Sequence, residues 1–126
     1  ITKEFSEGTI IGNTQHFHQC FLNLIKNSIE AMPCGGNLII SATVSNNKVI
    51  IRIQDSGVGM SQEQINRFGE PYFSTKTKGT GLGTMVAVKI IETMRGSLKI
   101  RSIVNKGTTL TITFPKYNNE STLHNK

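Results

Sequence analysis

Asp55-Ser56-Gly57-Val58-Gly59-Met60 sets a carboxylate and two glycines at the exit of a segment that alternates apolar and polar residues. A carboxylate accepts hydrogen bonds only, which suits an exocyclic amine such as that of adenine. Gly57 and Gly59 can adopt positive φ and let a flat or charged ligand approach the backbone. The same residues are also turn formers, so the stretch by itself fits a strand-ending turn equally well. A second candidate is Asn23, Asn27 and Glu30, spaced i, i+4 and i+7 and therefore on one helical face. Carboxamide oxygens one turn apart can ligate a hard cation or orient phosphates. Asparagine is a poor helix former, so a pair in mid-helix calls for a reason. The third is Lys78-Gly79-Thr80-Gly81-Leu82-Gly83-Thr84, alternate glycines leading into a helix. Such a loop exposes N–H groups and the positive end of a helix dipole to an anion. It lacks the Gly-Lys-Ser/Thr of a Walker loop and the spacing of a dinucleotide fingerprint. Lys106-Gly107-Thr108-Thr109 is a Gly-Thr turn with no signal of its own.

The elements that must position these groups follow from periodicity. Ile1 to Ile11 reads as one or two short edge strands broken at Gly8. A helix starts at Asn13 or Thr14, with Phe17, Phe21, Leu24 and Ser28 toward the core and Ile25 and Ile29 flanking. It ends near Met32, since Pro33 disfavours helix for its predecessor. Leu38–Val44 and Lys48–Gln54 form a hairpin across Ser45-Asn46-Asn47, with Val49, Ile51 and Ile53 on one face. Ser61-Gln62-Glu63-Gln64 opens a short capped helix reaching about Phe68. Gly69 to Gly79 has no period and reads as a lid or a linker. From Gly81 to about Met94 a second long helix carries Leu82, Val86 and Ile90 on a stripe with Met85 beside it, and Gly96 stops it. Ser97–Val104 and Thr108–Phe114 make a last hairpin around Asn105-Lys106-Gly107. The order predicts an α+β two-layer sandwich, a mixed and mostly antiparallel sheet with about three helices on one face.

At 126 residues the chain suffices for one core, expected over 1–115, with 116–126 a polar, disordered tail. Ile1 is not an initiator, so the chain reads as a piece of something longer. No apolar run reaches a membrane span and no signal peptide opens it. Cys20 and Cys34 have neither metal-type spacing nor a disulfide framework, and Cys20 reads as a buried free thiol in a reducing, cytosolic setting. The net charge of +6 raises nucleic acid as a partner. Only Lys76 and Lys78 cluster, however, and nucleic-acid binding needs a concentrated patch, so it is not expected.

Singly weak, the motifs are specific together. Asn23/Asn27, Asp55-x-Gly57-x-Gly59, Phe68 to Phe73, Gly79-x-Gly81-x-Gly83 and Gly107-Thr108 occur in order within one domain length. The chain thereby resembles the catalytic ATP-binding domain of sensor histidine kinases, within the GHKL superfamily and its Bergerat-type fold. Glu70-Pro71-Tyr72-Phe73-Ser74-Thr75-Lys76 is most similar to the sporulation-type kinases of Gram-positive spore formers. The resemblance implies Asp55 on the adenine amine, with Gly57, Val58 and Gly59 by the base and Thr108 supporting that end. It implies Asn27 on Mg²⁺, with Asn23 by the phosphates and Glu30 on the same nucleotide-facing side. Phe73, Thr75 and Lys76 would line a lid; Gly79, Thr80, Gly81, Leu82 and Gly83 would hold phosphates at the helix start. Asn23 and Lys76 would be the catalytic residues.

The implied activity is transfer of the γ-phosphoryl group of ATP to a histidine on a separate dimerisation domain, with a response regulator downstream. The fragment itself is expected to be monomeric. Its parent is expected to be a homodimer, membrane-anchored or not, with this domain in the cytoplasm. Hydrolysing relatives are similar in carrying glutamate where this chain has Asn23, and a neutral amide cannot act as a general base. Asn23 thus favours transfer over hydrolysis; a serine kinase of the anti-sigma-factor type and a non-catalytic interaction module are the other readings. Thr84, Met94-Arg95-Gly96 and Asn13 depart from the usual apolar residue, His-Gly-Gly and aspartate of the family. His16-Phe17 and His18-Gln19 lack the acidic neighbour of a phosphoacceptor, and His124 lies in the tail.

Overall fold

The computed structural model describes residues 2–5, 14–70 and 82–116. Their order is β1 (Thr2–Phe5), α1 (Thr14–Glu30), β2 (Leu38–Ser45), β3 (Lys48–Asp55), α2 (Gln62–Asn66), α3 (Leu82–Thr93), β4 (Ser97–Ile103) and β5 (Gly107–Pro115). One five-stranded sheet runs β1-β2-β3-β5-β4, with β1 parallel to β2 and every other pair antiparallel. This is the mixed, mostly antiparallel sheet expected from the element order. The lid segment beyond Glu70, most of the Gly79–Gly83 loop, the Gly8 break, the Asn13 cap and the tail beyond Lys116 lie outside the described residues.

β3 and β5 sit side by side at the centre, and their alternation defines the buried face. Val49, Ile51 and Ile53 of β3 and Leu110, Ile112 and Phe114 of β5 all point into the core. Each such side chain stabilises the fold by about 1.5–3 kcal/mol when fully removed from water. The facing layer is α1 and α3, which pack on each other. α1 supplies Cys20 and Leu24, with Phe17, Phe21 and Ile25 packed around them, while Ile29 is half exposed. The Cys20 thiol donates to the Ala87 carbonyl of α3 at 3.5 Å, joining the two helices.

On α3 the buried stripe is Ala87, Ile90, Ile91 and Met94. It lies one position round from the expected stripe: Val86 is only partly buried and Ile90 is common to both. The reason is that α3 sits over both α1 and β4, so small Ala87 faces α1 where the helices approach. α3 ends in a Schellman motif: Gly96 N–H donates to Ile91 O at 2.8 Å and Arg95 N–H to Glu92 O at 3.0 Å. Arg95 occupies the left-handed position of that motif with φ 60°.

The β2–β3 turn is Asn46-Asn47, both at positive φ (51° and 62°), as a two-residue hairpin loop needs. α2 has both halves of a capping box. Gln64 N–H donates to Ser61 Oγ at 3.2 Å, and Ser61 N–H donates to Gln64 Oε1 at 2.8 Å.

Candidate functional site

Asp55 ends β3 on the buried face, in phase with Ile51 and Ile53, and it pairs across the sheet with Thr108 near the start of β5. Both are buried, with exposures of 6% and 8%. The Asp55 carboxylate is held by its own loop: Oδ1 accepts from Gly57 N–H at 2.9 Å. A cleft opens beside this pair. Asn27, Ser28 and Ala31 of α1 form one wall, and Val58, Gly59 and Met60 form another. Phe68, Thr108 and Leu110 close it toward the core. A carboxylate, two hydroxyls and an amide among the apolar residues of one cleft suit a flat heteroaromatic ring with one polar edge.

The loop from Ser56 to Met60 is pinned on both sides. Val58 N–H donates to Ala31 O at 2.9 Å, just past α1, and Asn105 N–H donates to Val58 O at 2.7 Å, from the β4–β5 turn. Met60 N–H donates to Ser102 Oγ at 2.7 Å, and Asn37 N–H donates to Ser56 Oγ at 2.8 Å. These contacts give Gly57 and Gly59 a structural role in holding the loop, beside the ligand approach that their spacing suggests. A Cβ on Gly57 would strike the Ala31 carbonyl, and one on Gly59 (φ 70°) would strike the Ile103 carbonyl. Protein backbone takes the space where each Cβ would stand, and the glycines allow the loop to wedge between helix end and hairpin.

The three members of the α1 face part company. Asn27 lines the cleft. Asn23, one turn earlier, donates from Nδ2 to Gly83 O at 3.3 Å and ties α1 to the first turn of α3. Glu30 is absent from the cleft lining, with its carboxylate 4.0 Å from Lys26 Nζ. Gly83 is exposed at the start of α3, and for Leu82 the backbone alone is described. Phe73, Thr75, Lys76, Gly79, Thr80 and Gly81 lie outside the described residues.

Ser28, Ala31, Met60, Phe68 and Leu110 line the cleft without having stood out as site residues in the sequence. Ser28 was legible only as a core-facing helix position, and it is indeed 3% exposed. Phe68 carried a signal as the first residue of the Phe68–Phe73 motif. Leu110 and Met60 look like any core residue.

Asn27 is an oxygen donor suited to Mg²⁺. Among the described residues no group of three or more His, Cys, Asp or Glu could hold a metal. The donor set therefore fits a cation that takes one protein oxygen and draws its other ligands from phosphates and water, as Mg²⁺ does beside nucleotides.

Residues 12–118 match the family model described as histidine kinase-, DNA gyrase B- and HSP90-like ATPase. Sporulation kinase E of Bacillus subtilis (strain 168) is 44% identical over 98 residues, covering 77% of this chain and 13% of that protein. Sporulation kinase B of the same organism is 47% identical over 107 residues, covering 84% and 25%. The chain thus spans a quarter or less of the length of these relatives. Among solved structures, the catalytic domain of histidine kinase ThkA superposes with a TM-score of 0.80 at 29% identity, over 91% of this chain and 77% of that one. The mycobacterial sensor histidine kinase MprB shares the fold, with a TM-score of 0.83 at 19% identity over 91% and 82%.

Proposed function

The chain belongs to the histidine kinase-, DNA gyrase B- and HSP90-like ATPase family, and from that premise we propose that it is the ATP-binding catalytic domain of a two-component sensor histidine kinase. The observation that carries the reading is the buried Asp55–Thr108 pair at the base of a cleft whose outer wall bears Asn27.

In this reading the adenine ring enters between Ala31, Val58 and Leu110, and its amine meets the Asp55 carboxylate. Because Gly57 N–H already holds Oδ1, the carboxylate is oriented before the base arrives. Asn27 lies on α1 and offers its carbonyl oxygen to Mg²⁺. When bound with the nucleotide, Mg²⁺ supplies neutralisation of the charge on the transferring phosphoryl group. The phosphates extend toward the start of α3, where N–H groups favour anions, and Lys76 and Gly79 to Gly83 are the residues that the family resemblance assigns to them. Asn23 holds that helix start against α1 through Gly83 O. A neutral amide there has no proton-accepting capacity, which favours transfer to a protein acceptor over attack by water.

The acceptor belongs to a histidine-bearing dimerisation domain of the parent, and a response regulator takes the phosphoryl group onward. His16 and His18 lie exposed on α1, on the far side of Cys20 from the cleft residues Asn27 to Ala31. The isolated chain should therefore bind Mg-ATP without labelling itself, and should transfer γ-labelled phosphate to a separately supplied dimerisation domain of the parent. Label appearing on the isolated chain would contradict this assignment.

A further inference from the structure

Ser102 lies on β4, outside the residues that line the cleft, yet it touches three groups that shape the cleft. Its Oγ accepts from Met60 N–H at 2.7 Å, lies 3.0 Å from Gly107 O, and lies 2.7 Å from Thr108 Oγ1. A serine hydroxyl has one hydrogen and two acceptor positions. Met60 N–H takes one acceptor position. Gly107 O can only accept, so it takes the hydrogen. For all three contacts to hold at once, Thr108 must donate its own hydrogen to the remaining acceptor position of Ser102. The Thr108 hydroxyl is then left with lone pairs alone to offer the cleft.

We propose that Ser102 is a positioning residue for base selection, locking Thr108 as an acceptor beside the acceptor-only Asp55. This inference rests on the nucleotide-binding reading above. Two acceptors side by side, Asp55 and its cross-strand neighbour Thr108, match the two hydrogens of a 6-amino purine, directly or through an ordered water. They repel the oxygen of a 6-oxo purine, which brings a third acceptor to the same place. Sites built around such donor–acceptor matches discriminate strongly, because the wrong ligand leaves buried polar groups unpaired. Ser102 also holds Met60, so the same hydroxyl couples the loop after Asp55 to the strand that carries Thr108.

The test is calorimetric binding of ADP and of inosine diphosphate, which differs from ADP only at the C6–N1 edge. Wild type should prefer ADP by more than about tenfold. In Ser102→Ala the Thr108 hydroxyl is released to donate to O6, and the ADP preference should fall by about fivefold or more, the equivalent of one hydrogen bond. Ser102→Thr keeps the hydroxyl and should restore the preference. Ser102→Cys is nearly isosteric and a weak acceptor, so it gives the same direction of change should the alanine variant not fold. On a Thr108→Val background, Ser102→Ala should leave the ratio unchanged. Equal weakening of both ligands by Ser102→Ala or Ser102→Cys, with the ratio intact, would reduce Ser102 to a structural role and overturn the proposal. Failure of the wild type to bind either nucleotide would instead overturn the nucleotide reading itself.

Discussion

Cys20 shows how a residue outside the site reports on the layer that supports it. Its side chain is buried between α1 and α3, and desolvation pushes the thiol from its ordinary value of 9.0 up to about 11. Between those values the unfolded chain releases the proton while the folded chain keeps it. The unfolded state then binds fewer protons, so stability falls as pH rises through this window and is untouched below it. Cys20→Ala should remove that part of the alkaline loss, seen as a flatter dependence of the urea midpoint between about pH 9 and 11. Identical slopes in both proteins would mean that Cys20 titrates as freely folded as unfolded. Gly59 makes the complementary case at the edge of the cleft. Gly59→Ala must place a methyl group against the Ile103 carbonyl at a left-handed φ. It should cost about 2 kcal/mol of stability, by the usual scale of overpacking and backbone strain, with no ligand present. A neutral outcome in nucleotide-free protein would leave this glycine only the ligand-approach role that its spacing suggests.

The strands, hairpins and helices were legible because each obeys one period. Val49, Ile51 and Ile53 alternate, Ser61 and Gln64 make a capping box, and Asn46-Asn47 can supply the two positive φ angles of a tight turn. What periodicity missed was orientation. α3 is apolar on most sides, so its residues allow several stripes, and only contact with α1 through Ala87 selects the buried one. The end of α3 was legible in place but not in strain. Gly96 marks the stop, while the left-handed residue is Arg95, in a position where a glycine would sit without cost. Arg95→Gly should therefore stabilise the domain by about 1 kcal/mol, the typical cost of a non-glycine residue held there. Urea denaturation would show this as a raised midpoint with an unchanged slope. A lowered midpoint would mean that the Arg95 side chain contributes more than its backbone costs.

Across the whole molecule, the site is assembled from parts far apart in sequence. Asn27 on α1, Asp55 at the end of β3 and Thr108 on β5 meet only because β3 and β5 are neighbours in the sheet and α1 lies over them. Their identities were legible through motif order. Their partners were not, because a single serine in an alternating strand, Ser102, carries no spacing signal, and Leu110 is indistinguishable from core. The scattered basic residues that made the net charge of +6 ambiguous form no run in sequence, whereas the polar groups converge on one cleft. The central claim is that this cleft is an ATP pocket with Asp55 at its base end, and calorimetry with Mg-ATP on wild type and Asp55→Asn tests it most directly. Asparagine keeps the shape and can still accept from Gly57 N–H, but it loses the charge that meets the amine. Loss of one hydrogen bond to a charged group is worth about 1.5–3 kcal/mol, so the account predicts one-site binding by wild type and affinity lowered about ten- to hundredfold in the variant. Equal affinity in the two proteins would contradict it.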